Sequence, residues 1–323
     1  MAKITFMGAG STVFAKNIIG DCMCCEALRD SHFALYDIDS TRLNDSHRML
    51  SNLNENVNQG RATITRHLGV RGRRKALRQA DYVVNAIQVG GYDPCTITDF
   101  EIPKKYGLRQ TIADTLGIGG IFRSLRTIPV VLDFARDMEQ ECPEAWFLNY
   151  VNPMAMITGA LLHGTSIRTV GLCHSVQVCA NNLFRAVGLS MDDYPRLKWR
   201  TAGINHQGWL LEISHDGTDL YPRIKREAAK IIKQARRQPA GEGGNDLVRL
   251  EIMMRYGYYL TESSEHSAEY MPHWIKRNYP ELIDEYNIPL DEYPRRCENQ
   301  IARWEKMRDE LVNDTKLQHQ RSH

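Results

Sequence analysis

The chain has 323 residues, which is long enough for two domains with sizeable hydrophobic cores. Its 41 basic and 39 acidic residues leave a net charge of +2, so no overall field favours nucleic acid or an anionic membrane. No apolar segment approaches the roughly 18–20 residues of a membrane span, and the first residues lack the pattern of a secretory signal. We therefore expect a soluble globular protein with no nucleic-acid and no membrane partner.

The first half of the chain alternates short apolar runs with longer amphipathic ones. The apolar runs predict strands at 4–8, 33–39, 81–91, 145–153 and 168–174. The amphipathic runs predict helices at 11–30, 40–57, 124–143 and 154–164. Because alternation of this kind requires crossover connections, we predict an α/β fold with a Rossmann-type, doubly wound parallel sheet.

The first strand runs directly into Gly8-Ala9-Gly10-Ser11-Thr12. Glycines at such a turn let the backbone approach a pyrophosphate, and the helix that follows offers free N–H groups. Val13 replaces the third glycine of a G-x-G-x-x-G fingerprint, so this segment alone is also compatible with a glycine turn that binds nothing.

Two further features favour a dinucleotide. Asp37 ends the second predicted strand, where a carboxylate would hold the ribose hydroxyls of NAD and disfavour the 2′-phosphate of NADP. The segment "QVGG" at 88–91 ends a later strand, at the sheet edge where ligands gather. We predict NAD as the cofactor, bound by Gly8, Gly10, Ser11, Thr12, Asp37, Gln88 and Gly90.

The eight cysteines show no regular spacing and no paired C-x-x-C sites, which argues against a zinc ribbon or a disulfide scaffold. Free thiols in the cytoplasm are the simplest explanation. In "GLCHSVQ", residues 171–177, an apolar run stops at Cys173, which is compatible with a buried thiol, a nucleophile, a disulfide partner or a metal ligand.

The second half does not resemble a plain dehydrogenase. The segment "LTESSEHSAEYMPHW" at 260–274 is dense in polar side chains, which are unfavourable to bury unless they line a wet cleft. His206 lies beside an apolar run and on its own suits a structural role. Taken together, a thiolate from Cys173 and the imidazole of His206 could hold a transition metal. A Gly- and Pro-containing segment at 236–246 is predicted to be a flexible loop.

Several segments together resemble glycoside hydrolase family 4, and within it the bacterial α-galactosidase branch. They are "ITFMGAGST", "QVGGYDPCTITDFEIPKKYGL", "TLGIGGIFRSLRTIP", "LNYVNPMA", "GLCHSVQ", "AGINH" and "TESSEHSAEY". The likeness is collinear from residue 3 to about 318. It implies a fold related to lactate and malate dehydrogenases, a tightly held NAD, a divalent cation that is usually Mn²⁺, and cytoplasmic homo-oligomers, either dimers or tetramers.

The resemblance also implies individual roles. It places the metal ligands on Cys173 and His206 and the substrate-binding residues on Asn152 and Asp114. The catalytic base falls on Tyr270, with Tyr256, Tyr258 and Tyr259 as rivals, and the proton donor on His174, which replaces an aspartate of the phospho-sugar branch. That branch has, near the position of Cys95, an arginine whose planar guanidinium group binds the 6-phosphate of the sugar. Because this chain lacks that guanidinium, a free sugar is the expected substrate.

We therefore expect an NAD-binding domain at 1–170 and an α+β metal and substrate domain at 171–323. The latter is expected to be incomplete at its C-terminal end, because the family continues beyond the equivalent of His323. The implied activity is hydrolysis of α-galactosides by oxidation, elimination and addition, with NAD regenerated in each turnover. The alternatives are an α-glucosidase or α-galacturonidase of the same family, an NAD-dependent dehydrogenase of a small hydroxy acid, and an inactive NAD-binding fragment.

Overall fold

The structure is a computed structural model that describes residues 1–238, 244 and 246–319. The chain forms two compact units. The first comprises Met1–Cys95, Arg123–Leu172 and Cys297–His323, and the second comprises Thr96–Phe122 and Cys173–Arg296. The flexible loop predicted at 236–246 lies mostly outside the described residues.

The first unit is built around six strands. They are β1 (Lys3–Met7), β2 (His32–Asp37), β3 (Thr63–Leu68), β4 (Tyr82–Asn85), β5 (Trp146–Asn149) and β6 (Arg168–Gly171). The helices between them are α1 (Val13–Met23), α2 (Ser40–Asn58), α3 (Gly69–Leu77) and α6 (Met154–Gly164). Helix α4 (Ile97–Lys105) belongs to the second unit, and the chain changes units within α5 (Gly117–Glu141) and α12 (Glu292–Asn313).

All five pairings in this sheet are parallel, in the order β3-β2-β1-β4-β5-β6. This is the strand order of the Rossmann fold, and it confirms the predicted doubly wound sheet. Neighbouring side chains along each strand enter different cores: Met7 packs with one cluster of buried residues and Phe6 with another. The sheet is therefore covered on both faces, as the uninterrupted apolar runs predicted.

Several predicted boundaries differ from the observed ones; β4, for example, ends at Asn85 rather than at residue 91, and α1 ends at Met23 rather than at residue 30. Helix α5 begins at Gly117 rather than at residue 124, because glycines are weak helix formers and concealed the start of the helix, including its first turn. The N–H of Gly119 in that turn donates to Gln110 Oε1 at 3.1 Å. Strand β6 ends at Gly171, since His174 already has helical backbone angles, so Cys173 lies in the connection after the strand.

The compact units also differ from the predicted division at residue 170. The C-terminal segment packs with the sheet unit: Arg308 Nε donates to Asp45 Oδ2 at 2.7 Å, and Leu317 is buried in the core beside α1 and α2. Residues 96–122 instead belong with the second unit, where the N–H of Asp291 donates to Gln110 O at 3.0 Å. Which activity each unit carries stays a prediction.

The second unit is α+β. Its strands are β7 (Leu197–Ile204), β8 (Gln207–His215), β9 (Thr218–Asp219) and β10 (Tyr259–Leu260), and all their pairings are antiparallel. Its further helices are α7 (Ser175–Ala186), α8 (Tyr221–Ala235), α9 (Leu247–Tyr256), α10 (Ser264–Tyr270) and α11 (Glu281–Glu285). Two clusters of buried apolar residues hold these elements together.

Within the described ranges, no helix combines the length and the apolar character that crossing a membrane would need.

Candidate active site

The first unit carries a turn that only glycine can form between β1 and α1. Gly8 has a φ of +85°, and a Cβ at this position would lie 2.7 Å from the carbonyl oxygen of Ala86. The backbone of the turn is therefore held close to the end of β4. The side chain of Ser11 lies in the same turn, and its Oγ is buried without a hydrogen-bond partner among the described residues. A phosphate or ribose oxygen would satisfy that hydroxyl.

Asp37 lies at the end of β2, as predicted. One of its carboxylate oxygens accepts the N–H of Gly10 at 2.6 Å, and the other accepts the N–H of Asp39 at 2.9 Å. The carboxylate is thus fixed beside the glycine turn. Gln88 and Gly90 follow β4 and are exposed. The left-handed Gly8, the unsatisfied Ser11 hydroxyl and the fixed Asp37 fit a dinucleotide such as NAD.

Replacing Gly8 by alanine is expected to remove NAD binding and to destabilise the first unit, because the new methyl group would meet Ala86 and φ is positive. The measurement is thermal unfolding with and without NAD. Gly159→Ala is the matched control: Gly159 lies within α6, and a Cβ there would meet no atom within 4 Å, so alanine should stabilise by roughly 0.5–1 kcal/mol. An NAD-dependent shift that survives Gly8→Ala would contradict the assignment.

Asn152 also lies in the first unit, in the connection between β5 and α6. It is half-buried, and its backbone carbonyl accepts a hydrogen bond from Arg123 Nε at 3.0 Å. The peptide bond between Asn152 and Pro153 is cis.

In the second unit, three potential metal ligands come from three different segments. Cys173 precedes α7, His206 lies in the two-residue turn between β7 and β8, and Glu262 follows β10. His206 Nε2 lies 3.4 Å from Cys173 Sγ and 3.2 Å from Glu262 Oε2. Their ligand atoms all lie within 4.8 Å of one another. Sulfur, nitrogen and oxygen donors at this spacing fit a divalent transition metal.

The backbone of His206 is unusual, since its φ is +62° although it is not a glycine. Left-handed conformations of such residues are uncommon and cluster at functional sites. The turn is held by the flanking pair of Ile204 and Gln207 in the β7–β8 ladder. It presents the imidazole to Cys173, and the residue is only 5 % exposed.

The charges of this group favour a thiolate. Burial by itself raises the pKa of the Cys173 thiol, but hydrogen bonds from His206 and Ser175 outweigh burial and lower the pKa to about 7. Burial by itself lowers the pKa of His206, yet its contact with Cys173 and the nearby carboxylates of Glu262 and Asp114 raise that pKa overall. Both shifts act in the same sense: they favour the thiolate of Cys173 and the charged form of His206 relative to an isolated thiol and an isolated imidazole.

Alkylation of Cys173 by iodoacetamide is expected to accelerate as pH rises, with a midpoint near pH 7, because the thiolate is the nucleophile. Cys22, Cys142 and Cys179 should react slowly, since burial raises their pKa values to about 11, 11 and 12. Mass spectrometry of the labelled peptides gives the rate at each thiol. A Cys173 midpoint at the ~8.5 of an ordinary thiol would contradict the hydrogen-bonded thiolate.

Asp114 and His266 flank the same imidazole. His266 Nε2 lies 3.7 Å from Asp114 Oδ1, and its ring centroid lies 4.9 Å from that of His206. Asp114 directly follows a segment that is fixed by Glu269 of α10. The Glu269 carboxylate accepts the backbone N–H groups of Thr111, Ile112 and Ala113 at 2.8, 3.2 and 2.9 Å. The predicted substrate residue Asp114 and the predicted metal ligand His206 are thus brought together.

Tyr270 ends α10 in the same unit. Its hydroxyl is buried without a hydrogen-bond partner of good geometry among the described residues, and only a weak contact with Thr115 acts to lower its pKa. Burial, followed by the nearby carboxylates of Asp114 and Glu269, raises the pKa of Tyr270 well above its usual range. A phenol in these surroundings is neutral until positive charge is brought close to it.

The rival tyrosines have different surroundings. Tyr259 is fully buried, and its hydroxyl donates to Asp246 at 2.6 Å. Tyr256 and Tyr258 are 49 % and 43 % exposed, and the Tyr256 hydroxyl lies 2.6 Å from His273 Nε2. His174 precedes α7 and is exposed, with its backbone carbonyl accepting the N–H of Val178.

Sequence reasoning assigned no role to four residues of this group: Thr115, Glu262, His266 and Glu269. Three of them lie in the polar segment at 260–274, whose density of acidic and histidine side chains was the only signal. Thr115 carried no signal, because an isolated threonine after an aspartate is common in many kinds of segment.

The sequence matches the description "Family 4 glycosyl hydrolase" over residues 3–189 and "Family 4 glycosyl hydrolase C-terminal domain" over residues 201–323. An "Alpha-galactosidase" of Bacillus subtilis is 61 % identical over 322 residues, which cover 100 % of this chain and 71 % of that protein. An "Alpha-galactosidase" of Rhizobium meliloti is 35 % identical over 276 residues, 85 % of this chain and 53 % of that protein.

Solved structures show the same fold. The Bacillus subtilis protein lplD superposes with a TM-score of 0.80 at 25 % identity, over 98 % of this chain and 72 % of that one. A 6-phospho-alpha-glucosidase from gut microorganisms, solved in complex with NAD and Mn²⁺, has a TM-score of 0.75 at 19 % identity, over 100 % of this chain and 71 % of that one.

Proposed function

Because the chain belongs to glycosyl hydrolase family 4, we propose that it hydrolyses α-galactosides with the help of NAD and a divalent cation, with Mn²⁺ as the first candidate. The observation that carries the proposal is the group of Cys173, His206 and Glu262, whose three donor atoms of different kinds all lie within 4.8 Å of one another. The 61 % identity to an α-galactosidase supports the choice of sugar. The complex of the gut 6-phospho-alpha-glucosidase with NAD and Mn²⁺ supports the choice of cofactors.

When bound, NAD⁺ supplies a reversible hydride acceptor, and the cation supplies positive charge for sugar oxygens that become negative during the reaction. Cys173, His206 and Glu262 would hold the cation. Gly8, Gly10, Ser11, Thr12, Asp37, Gln88 and Gly90 would hold NAD. Thiolate is a soft donor and Mn²⁺ a hard ion, so we expect weak and exchangeable binding of the metal.

Tyr270 is proposed as the base that takes the proton from C2 of the sugar. Its unsatisfied hydroxyl is buried between acidic groups, and a nearby dication would lower the pKa that those groups raise. His174 is proposed to protonate the leaving oxygen at C1, a task that suits a histidine near neutral pH. Asn152 and Asp114 are proposed to bind sugar hydroxyls, which both can do through their side-chain oxygens.

The substrate is proposed to be an unphosphorylated sugar, because Cys95 stands near the position where the phospho-sugar branch has its arginine. A cytoplasmic location fits a metal ligand that works only as a reduced thiol. We also propose a homo-oligomer, a dimer or a tetramer, by resemblance to the family. Size-exclusion chromatography with light scattering tests that assembly.

The deciding experiment is hydrolysis of a panel of nitrophenyl α-glycosides in the presence of NAD, Mn²⁺ and a thiol reductant. We expect nitrophenol from the α-galactoside, with no net growth of NADH absorbance. Faster release from an α-glucoside or α-galacturonide would identify a different sugar. Net NADH formation would indicate a dehydrogenase, and equal hydrolysis after removal of NAD and metal would refute the mechanism.

A further inference from the structure

The two ring nitrogens of His206 face different partners. Nε2 faces Cys173 and Glu262, whereas Nδ1 lies 2.8 Å from Oγ1 of Thr115. Thr115 is completely buried, and its hydroxyl donates to Asp114 Oδ1 at 2.9 Å. A chain of hydrogen bonds therefore leads from a carboxylate through one hydroxyl to the side of the imidazole that faces away from Cys173.

The direction of this chain follows from counting protons. The Thr115 hydroxyl has one proton, and it donates that proton to Asp114 Oδ1. The Thr115 oxygen is then an acceptor toward His206. The proton of neutral His206 consequently lies on Nδ1, and the lone pair is left on Nε2. This is the tautomer that a histidine needs in order to bind a metal through Nε2.

We propose that Thr115 is a positioning residue that fixes the tautomer and the orientation of His206, so that Nε2 is presented to the metal. This inference rests on the proposed metal site. A hydroxyl that bonded in the opposite sense would donate to Nδ1, place the proton on Nε2 and block the metal-binding nitrogen. Asp114 prevents that arrangement by accepting the hydroxyl proton.

The backbone around Thr115 leaves it little freedom. A Cβ on Gly120, in the first turn of α5, would lie 2.7 Å from the carbonyl carbon and oxygen of Thr115. On the other side, Glu269 accepts the three successive N–H groups at residues 111–113. The glycine pair of "GIGG" and the half-buried Glu269 thus hold Thr115 at hydrogen-bond distance from His206.

The test compares Thr115→Val, which keeps the shape and removes the hydroxyl, with Thr115→Ser, which keeps the hydroxyl. Mn²⁺ binding is measured by titration calorimetry, and Co²⁺ binding by the thiolate-to-metal absorption band. We expect Thr115→Val to weaken metal binding about 10–100-fold, which is the usual effect of removing a hydrogen-bond partner of a metal-bound histidine. The metal affinity of Thr115→Ser should stay close to that of the unsubstituted protein. Equal binding by all three proteins would overturn the inference, as would equal losses in both variants.

A second measurement does not depend on a variant that must fold. Nitrogen-15 spectra of the imidazoles in the metal-free, unsubstituted protein, recorded at a pH where His206 is neutral, are expected to show the His206 proton on Nδ1, and a proton on Nε2 would overturn the inference. The proposed function fails differently. If the Cys173→Ala variant shows the same thiolate-to-Co²⁺ absorption band as the unsubstituted protein, the metal lies elsewhere. The proposed site and this inference are then both refuted.

Discussion

Replacing Cys173 by serine is expected to abolish the metal response and to lower kcat/KM for the α-galactoside by about 1,000-fold or more, since charge stabilisation by a catalytic metal contributes several kcal/mol. Serine has nearly the same shape as cysteine, so any loss of activity in this variant comes from the chemistry of the ligand atom rather than from its size. The Cys173 thiol has a pKa lowered to about 7 and is a ready thiolate, whereas a serine hydroxyl stays protonated at that pH. Steady-state kinetics across a Mn²⁺ titration measures the effect.

Cys24→Ser is the matched control for this experiment. Cys24 is an exposed free cysteine in the segment after α1, and its replacement should leave the Mn²⁺ titration unchanged. If Cys173→Ser kept the Mn²⁺ dependence of the unsubstituted protein, Cys173 would be a structural thiol. Cys173 would also be a structural thiol if the Cys173→Ser variant were only less stable and its folded fraction had normal activity.

Replacing Tyr270 by phenylalanine is expected to lower kcat by about 100- to 10,000-fold, the usual contribution of a general base, while NAD and Mn²⁺ binding persist. The unfolding free energy should be unchanged or slightly higher, because the lost hydroxyl is buried without a hydrogen-bond partner among the described residues. Solvent deuterium appearing at C2 of recovered substrate reports the proton transfer directly. That exchange should disappear together with kcat.

The rival tyrosines provide the controls. Tyr256→Phe and Tyr258→Phe alter exposed rings and should leave kcat within a few-fold. Tyr259→Phe removes the hydrogen bond to Asp246 inside the core, so it should lower stability more than kcat in the folded protein. A Tyr270→Phe enzyme that still exchanged the C2 proton would move the role of base to another residue.

Parts of the site could be predicted because they depend on local sequence. Gly8 directly follows β1 and Asp37 is the last residue of β2, so their placement at the ends of these strands required only the alternating pattern. Cys173 and His206 were paired as a hypothesis, and their Sγ and Nε2 atoms lie 3.4 Å apart. Their roles, and those of Tyr270 and His174, stay predictions that the experiments above address.

Other features depend on contacts between distant segments. Thr115 and His206 are 91 positions apart in the chain, and Asp45 and Arg308 are 263 apart. No local pattern connects the members of either pair. Sequence periodicity likewise could not show that residues 96–122 fold with the second unit, because those helical segments would look the same in either one.

The order of strands and helices, the glycine turn and the candidate ligand types were determined by the sequence itself, since periodicity and turn chemistry act over a few neighbouring residues. Only the tertiary structure decided which nitrogen of His206 faces Cys173, which carboxylate completes the group, and which tyrosine hydroxyl is buried without a partner among the described residues. These are properties of side chains that meet across long stretches of chain. Their geometry depends on the packing of α10, the β7–β8 turn and the segment at 110–115 around one another.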